Sequence, residues 1–203
     1  MSSADIVSLY ERHAAQYDRD RSRGLPEKAW LDRFLALARP GGTILDIGCG
    51  MAEPIARYLL EAGFAVVGID ASPSLIAMCR RRFPQGEWRV GDMRELALDR
   101  RFDGLLAWDS FFHLTMADQR AMFPRFAAHA LPCAPLLFTS GPSRGEAIGS
   151  YCGEPLYHAS LDPHEYESLL SANGFPVVAH VAEDAQCGNH TVWLARKSDH
   201  VAS

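Results

Sequence analysis

The run Thr43-Ile44-Leu45-Asp46-Ile47-Gly48-Cys49-Gly50-Met51-Ala52-Glu53 constrains this chain more than any other stretch of its 203 residues. A short apolar strand carries an acid near its end and passes through a glycine turn into a helix. Glycine permits the tight turn and lets a ligand approach the main chain closely. Where such turns bind phosphate, they use the free N–H groups of the following helix. Here Glu53 occupies the third glycine's place in a G-x-G-x-x-G pattern, and Asp46 precedes the turn. Two carboxylates flanking the loop suit a cationic ligand better than a pyrophosphate. Alone, Gly48 and Gly50 also fit a dinucleotide-binding fold or a purely structural connection.

The segments around this run alternate. Before it, apolar spacing predicts helices over residues 4–18 and 26–38, the second burying Trp30, Leu31, Phe34 and Leu35 and stopped by Pro40-Gly41-Gly42. From it onward, strands are predicted at 43–47, 64–69, 88–90, 104–108 and 136–139, with helices at 53–62, 73–83 and about 117–130. These strands are nearly continuous apolar runs, as expected when helices cover both faces of a parallel sheet. A helix from Pro163 to Ser171 is followed by β-like runs at 177–182 and 191–195 with only the turn-rich 184–189 between them, so these two pair antiparallel. The expected fold class is α/β: a doubly wound, mostly parallel seven-stranded sheet with helices on both faces and an antiparallel final strand. It forms one domain over residues 1–203, with 1–40 as N-terminal cap helices. The ligand site is expected beyond the carboxyl ends of the strands.

Composition narrows the function classes. With 48% hydrophobic and 22% charged residues, the chain reads as a soluble globular protein. A net charge of −5 with scattered basic residues argues against a nucleic-acid footprint. No apolar run approaches the ~20 residues that span a bilayer, and the polar first 24 residues lack a signal-peptide core. Five widely spaced cysteines without a CxxC pair point to a reduced, cytoplasmic protein without a disulfide framework. No metal site is expected, because Cys187-Gly188-Asn189-His190 has ligand-like spacing but no second pair.

Two further acids follow two further strands. Asp70 comes 20 residues after Gly50, where an acid accepts both hydroxyls of a ribose, although it could also cap the next helix. Asp92, in Val90-Gly91-Asp92-Met93, is placed to accept from an adenine amino group while Met93 packs on the ring, or simply to form a turn.

Leu45-Asp46-Ile47-Gly48-Cys49-Gly50, Gly68-Ile69-Asp70-Ala71-Ser72 and Gly91-Asp92-Met93 resemble motifs I, II and III of the class I S-adenosylmethionine-dependent methyltransferases of small-molecule type. The similarity runs over essentially the whole chain, and Ala52 stands where many members have another glycine. The resemblance implies S-adenosylmethionine as cofactor and S-adenosylhomocysteine as product. It assigns Gly48 and Gly50 to the methionine part and counts Asp46 and Cys49 among the cofactor-binding residues, Cys49 as a small packing residue of the loop. Asp70 goes to the ribose, with Ala71 and Ser72 also cofactor-binding, and Asp92 and Met93 to adenine. Trp108 and Asp109 border the methyl end. Helices before motif I often cover the cofactor in this family, which draws attention to Tyr17 as a lid residue, Trp30 as core, and Arg23. Arg23 either grips the cofactor carboxylate or is solvated in the charged run 18–23.

Methyl transfer is an in-line displacement in which alignment and desolvation supply much of the acceleration. A general base is needed only where the nucleophile keeps a proton. Asp109 and His113 are the candidates, His113 resembling a histidine many small-molecule members carry after the fourth strand. It could equally be held by backbone. The segment lacks the Asn/Asp-Pro-Pro-Tyr/Phe motif of enzymes that methylate adenine or glutamine. Residues 140–161, with four glycines, form a lid or a surface hairpin, and Tyr151, Tyr157 and His158 are candidate walls of an acceptor pocket. The expected partner is a small-molecule acceptor. A non-catalytic S-adenosylmethionine-binding module and a nicotinamide-dependent oxidoreductase are the alternatives. The second fits poorly with Glu53 and leaves Asp92 unexplained.

Overall fold

Period-two alternation puts apolar side chains on both faces of most strands, so the sheet must be covered on both sides. The computed structural model describes residues 3–199. Three helices come first, α1 (Ser3–Arg12), α2 (Ala14–Asp20) and α3 (Lys28–Leu37). An alternating stretch follows: β1 (Thr43–Ile47), α4 (Ile55–Glu61), β2 (Ala65–Asp70), α5 (Pro73–Arg82), β3 (Glu87–Val90), β4 (Gly104–Ala107), α6 (Met116–His129) and β5 (Pro135–Ser140). The remainder is a hairpin of β6 (Gly145–Tyr151) and β7 (Glu154–Ser160), then α7 (Pro163–Ala172), β8 (Val177–Asp184) and β9 (His190–Arg196).

The main sheet has seven strands in the order β3-β2-β1-β4-β5-β9-β8. β1 to β5 pair in parallel, while β9 lies antiparallel between β5 and β8. This is the expected architecture, including the reversed final strand. Leu45, Ile47, Leu105, Phe138 and Trp193 pack on one face with Phe123, Phe126 and Tyr166 from α6 and α7. Ile44, Val66, Leu106 and Leu194 pack on the other with Leu31, Phe34, Leu59 and Ile76 from α3, α4 and α5. Trp30 is buried in that second layer and donates from Nε1 to Asp184 at 2.8 Å.

Local chemistry starts the helices. Ser72 caps α5, its Oγ accepting from Leu75 N, with Pro73 in the first turn; Asp162 and Pro163 do the same for α7, and Thr115 caps α6. The single helix expected over 4–18 is two, broken at His13, whose Nε2 meets Glu154 Oε1 at 2.6 Å. The 140–161 segment is a two-stranded hairpin with α1 packed on β7. Among the described residues, no helix is long and apolar enough to cross a membrane.

Candidate active site

The register of the parallel strands sets Ile47 beside Ile69 and Asp70 beside Val90, so the turns after β1, β2 and β3 open on one edge. A cavity there is lined by Gly48, Gly50, Asp70, Ala71, Ser72, Asp92, Met93, Asp109, Ser110 and His113. The glycine turn is tightly specified. Gly48 has φ 78°, and a Cβ on it would lie 2.3 Å from Ser110 Cβ. Gly50 has φ 55° and faces the ring of Tyr17. Gly50 N donates to Asp70 Oδ2 and Ser72 N to Asp70 Oδ1, both at 2.9 Å. Asp70 therefore ties the glycine loop to the start of α5 and keeps lone pairs for a ligand. Burial pushes its carboxyl up to about 6. Asp46, fully enclosed under the loop, is raised to about 7 by burial first and by the neighbouring Asp70 charge second. Cys49 belongs to the loop, and a Cβ on Gly68 would lie 2.8 Å from its sulfur.

At the far end, Asp92 lines the cavity but is engaged by Arg94, whose Nε lies 3.0 Å from each carboxylate oxygen and whose backbone N donates at 2.9 Å. The hydrogen bonds from Arg94 hold Asp92 below the usual carboxylate range. Arg94 itself lines the cavity, which sequence reasoning missed.

The cover is built from α1 and α2. Glu11 accepts from Ser72 Oγ at 2.5 Å and from Ser74 Oγ at 2.6 Å and N at 3.1 Å, clasping α1 to the start of α5. Arg12 and His13 pair with Glu154 on β7. Tyr10 and Tyr17 close over the cavity with ring centroids 5.3 Å apart, and Tyr151 from β6 stands 6.1 Å from Tyr10 and 6.5 Å from Tyr17. Burial raises the Tyr17 phenol to about 12, with Arg21 pulling the other way.

Arg23 is not the arginine that reaches the site. It turns outward to Asp18 at 2.7 Å and Glu53 at 3.3 Å. Arg21 instead points inward, 3.3 Å from Asp109 Oδ2 and 3.6 Å from the buried Glu27. The signal was present in the sequence: Tyr10, Ala14, Tyr17 and Arg21 recur at four, three and four residues, one helical face, which Arg23 leaves.

Tyr17, Arg21, Asp46, Trp108 and Asp109 enclose a small second chamber beside the glycine loop. Asp109 has φ 49°, and its backbone N donates to Thr139 Oγ1 at 2.9 Å. His190, at the start of β9, brings Nε2 to 2.9 Å from Asp109 Oδ1 without forming an aligned hydrogen bond, and its ring lies 5.3 Å from that of Trp108. Burial pushes Asp109 up, but His190 and Arg21 outweigh it and hold the carboxyl low. The buried Asp46 and the half-buried Asp70 and Asp109 thus line two neighbouring cavities that share Tyr17, Gly48 and Asp109, with Arg21 in the smaller one. That donor set fits a ligand bearing a cationic centre, an ammonium and a carboxylate, together with a ribose.

On the other side, His113 is buried, with Nδ1 3.0 Å from Tyr157 O and Nε2 3.1 Å from Tyr10 Oη. Burial lowers it to about 4. Its ring lies 4.9 Å from those of Phe112 and His158. Phe112 and His158 line an adjoining groove with Ser140, Ser143, Glu146 and Ser160. Of the expected pocket walls, His158 lines this groove, while Tyr151 packs on the outer side of Tyr10 and Tyr17 and lines neither cavity. Nor does Tyr157 line either: alternation along β7 turns its side chain into a cluster with Ile6 and Ala159, and only its carbonyl reaches the site. Among the described residues, no group of three His, Cys, Asp or Glu is arranged to hold a metal ion.

Comparison with known proteins agrees with this geometry. Residues 44–132 match the family described as methyltransferase domain. A dTDP-3-amino-3,6-dideoxy-alpha-D-glucopyranose N,N-dimethyltransferase from Streptomyces fradiae is 33% identical over 132 residues, 64% of this chain and 51% of that protein. A dTDP-4-amino-2,3,4,6-tetradeoxy-D-glucose N,N-dimethyltransferase from Saccharopolyspora spinosa is 28% identical over 137 residues, 64% of this chain and 55% of that one. The chain spans about half the length of these curated relatives. In fold, it is similar to the Burkholderia thailandensis 1,6-didemethyltoxoflavin-N1-methyltransferase, solved with 1,6-didemethyltoxoflavin and S-adenosylhomocysteine. That match has TM-score 0.72 and 24% identity, and covers 97% of this chain and 87% of the other. Sheet order and cavity define a Rossmann-like methyltransferase fold. Over residues 44–132 the chain carries the methyltransferase-domain signature, set in the fold of the solved methyltransferases it is similar to.

Proposed function

We propose that this chain transfers a methyl group from S-adenosylmethionine to a small-molecule acceptor. The observation that carries the reading is the convergence of Asp46, Asp70 and Asp109 on a glycine turn roofed by Tyr10 and Tyr17. When bound, S-adenosylmethionine supplies a methyl already activated by its sulfonium. Asp70 would hold the ribose with its remaining lone pairs, and Ala71 and Ser72 would line it. Asp92, Met93 and Arg94 would hold adenine. The backbone of Gly48, Cys49 and Gly50, with Arg21, Trp108 and Asp109, would hold the methionine end, where a guanidinium suits a carboxylate. The N-terminal helices exclude water and position the acceptor. We place His113 and Asp109 beside the acceptor and assign them to orienting it.

The small-molecule class is supported by the amino-sugar and toxoflavin-precursor methyltransferases among the similar proteins. The tyrosine-roofed cavity supports it too, since, among the described residues, Arg94 is the one Lys or Arg in its lining and a phosphate backbone needs several. The five cysteines are all free, which supports a reducing, cytoplasmic compartment. We read residues 1–203 as one catalytic domain with 1–40 as its cover.

Calorimetry with S-adenosylhomocysteine tests the cofactor. Binding is expected in the wild type and weakened at least about tenfold in Asp70→Ala, the scale of one or two lost hydrogen bonds to a charged group. Binding of NAD in its place would restore the oxidoreductase alternative. Cofactor binding without methyl transfer to any metabolite of a broad panel would favour the non-catalytic module.

A further inference from the structure

Glu27 stands at the cap of α3, in Pro26-Glu27-Lys28, and is 2% exposed. Its backbone carbonyl starts the helix, accepting from Trp30 N at 2.9 Å and Leu31 N at 3.0 Å. A carboxylate at such a position is well placed to turn back onto the free N–H groups of the first turn. This one makes no capping bond. Among the described residues, two buried side-chain oxygens lack a hydrogen-bond partner, Glu27 Oε1 and Asp109 Oδ1. Leaving a buried carboxylate oxygen unpaired is costly, so a compensating charge is expected beside it. That charge is Arg21, whose Nη2 lies 3.6 Å from Glu27 Oε1.

Arg21 ends α2 and leads into an irregular stretch, where a long side chain has many rotamers to choose from. Two carboxylates select one of them. Asp109 Oδ2 accepts from Nη1 at 3.3 Å, and Glu27 faces Nη2 across a gap too long for a hydrogen bond, as an ion pair. Among the described residues the guanidinium spends only that one hydrogen, and it lines the small chamber with Asp46, Gly48 and Trp108. Arg21 is thus held inward with most of its donors unspent. A group ordered in advance does not lose that freedom again when a ligand arrives. Glu27 lines neither the chamber nor the main cavity, so it reaches a ligand only through Arg21. Burial pushes its carboxyl up, while its own backbone N–H and Arg21 pull the other way.

Building on the methyl-transfer reading above, in which Arg21 meets the carboxylate of the cofactor's methionine end, we infer that Glu27 is a positioning residue for that end. It acts through Arg21, keeping the guanidinium at the chamber wall, and adds nothing to the grip on ribose or adenine.

The test uses the full chain and two ligands. S-adenosylhomocysteine carries the amino-acid end; 5′-methylthioadenosine keeps the adenosine and the thioether and lacks that end. Calorimetry on the wild type should show S-adenosylhomocysteine bound more tightly. Failure to bind either ligand defeats the methyl-transfer reading itself, a separate outcome from those that follow. Equal affinity for both removes Arg21 from the methionine end and overturns the inference with it. Glu27→Gln, uncharged and of the same size, should weaken S-adenosylhomocysteine about fivefold and leave 5′-methylthioadenosine within about twofold. Glu27→Asp, which keeps the charge, should recover part of that loss. In the Arg21→Ala background, Glu27→Gln should change S-adenosylhomocysteine affinity by less than about twofold, since the residue it acts through is gone. Should Glu27→Gln fail to fold, Glu27→Asp carries the comparison: drawn back from Arg21 by one methylene, it should lose affinity for S-adenosylhomocysteine alone. Equal losses for the two ligands would mean a structural role only. That result, unaltered or tighter S-adenosylhomocysteine binding in Glu27→Gln, or losses additive with Arg21→Ala each overturn the inference.

Discussion

Arg21 Nη1 stands 3.3 Å from Asp109 Oδ2, joining the end of the cover to the turn after β4 across 88 positions of sequence. The contact places a half-buried guanidinium beside the glycine loop, between Asp109 and Glu27. Two arginines in one short charged run are thereby given different work.

Replacing them separates the roles. Arg21→Ala should weaken S-adenosylhomocysteine binding about tenfold or more, since it removes a charge-assisted contact from an enclosed site. Arg23→Ala, which removes surface contacts to Asp18, Glu53 and the Arg21 carbonyl, should change affinity less than about twofold. Isothermal calorimetry on both variants decides it, and the reverse ranking would return the carboxylate contact to Arg23.

The raised carboxyls should make S-adenosylmethionine binding release protons. Asp46 and Asp70 titrate at about 7 and about 6, above the ordinary aspartate value. The folded protein keeps protons there that the unfolded chain has already lost, so these groups cost stability as pH rises through that window. A cationic ligand favours the ionised forms. Calorimetry with S-adenosylmethionine near pH 6 in buffers of different ionisation enthalpy should therefore show protons delivered to the buffer, with affinity climbing toward pH 8. A heat independent of buffer would mean that both carboxyls are already ionised in the free protein.

His190 should show the opposite sign. The neighbouring Asp109 carboxylate raises its pKa above the ordinary histidine value, and Nδ1 donates to Cys187 O at 2.6 Å. Stability from this pair is complete below the unfolded histidine's pKa, near 6.5, and is lost as pH rises through the folded one. The Tm difference between wild type and His190→Asn should be larger at pH 6 than at pH 9. Equal differences at both pH values would assign His190 a packing role only.

Gly48→Ala should harm both folding and binding. A left-handed φ costs a residue with a Cβ about 1–3 kcal/mol, and the new carbon would fall 2.3 Å from Ser110 Cβ. Urea denaturation should show a loss of about 3 kcal/mol, with S-adenosylhomocysteine binding lost beyond detection. Wild-type affinity in this variant would mean that the turn relaxes without disturbing the cofactor site.

The sheet and its acids were legible because their determinants are local. Strand, turn and cap for Asp46, Asp70 and Asp92 each fall within about a dozen residues, so apolar runs and glycines place them without knowledge of the rest of the chain. The contacts of the cover were not legible in this way. Tyr10 meets His113 across 103 positions and His13 meets Glu154 across 141, and both depend on how α1 and the β6–β7 hairpin settle on the sheet. The break at His13 escaped periodicity for the same reason, since apolar spacing continues through it. Tyr157 was read as a pocket wall from residue type alone, and the phase of β7 sends its ring elsewhere.

The reversal of β9 has a consequence for how this site can diversify. A parallel strand can give the rim only the residues at its exit. Because β9 runs the other way, its first residue, His190, arrives at that same rim, preceded by the turn from Ala185 to Cys187. The short link between the last two strands is thereby carried to the rim beside Trp108 and Asp109, held at both ends by the sheet. Residues there can be exchanged, lengthened or shortened while Val192, Trp193 and Leu194 keep the core intact, which makes the penultimate turn a natural place to look for, or to engineer, differences in ligand preference.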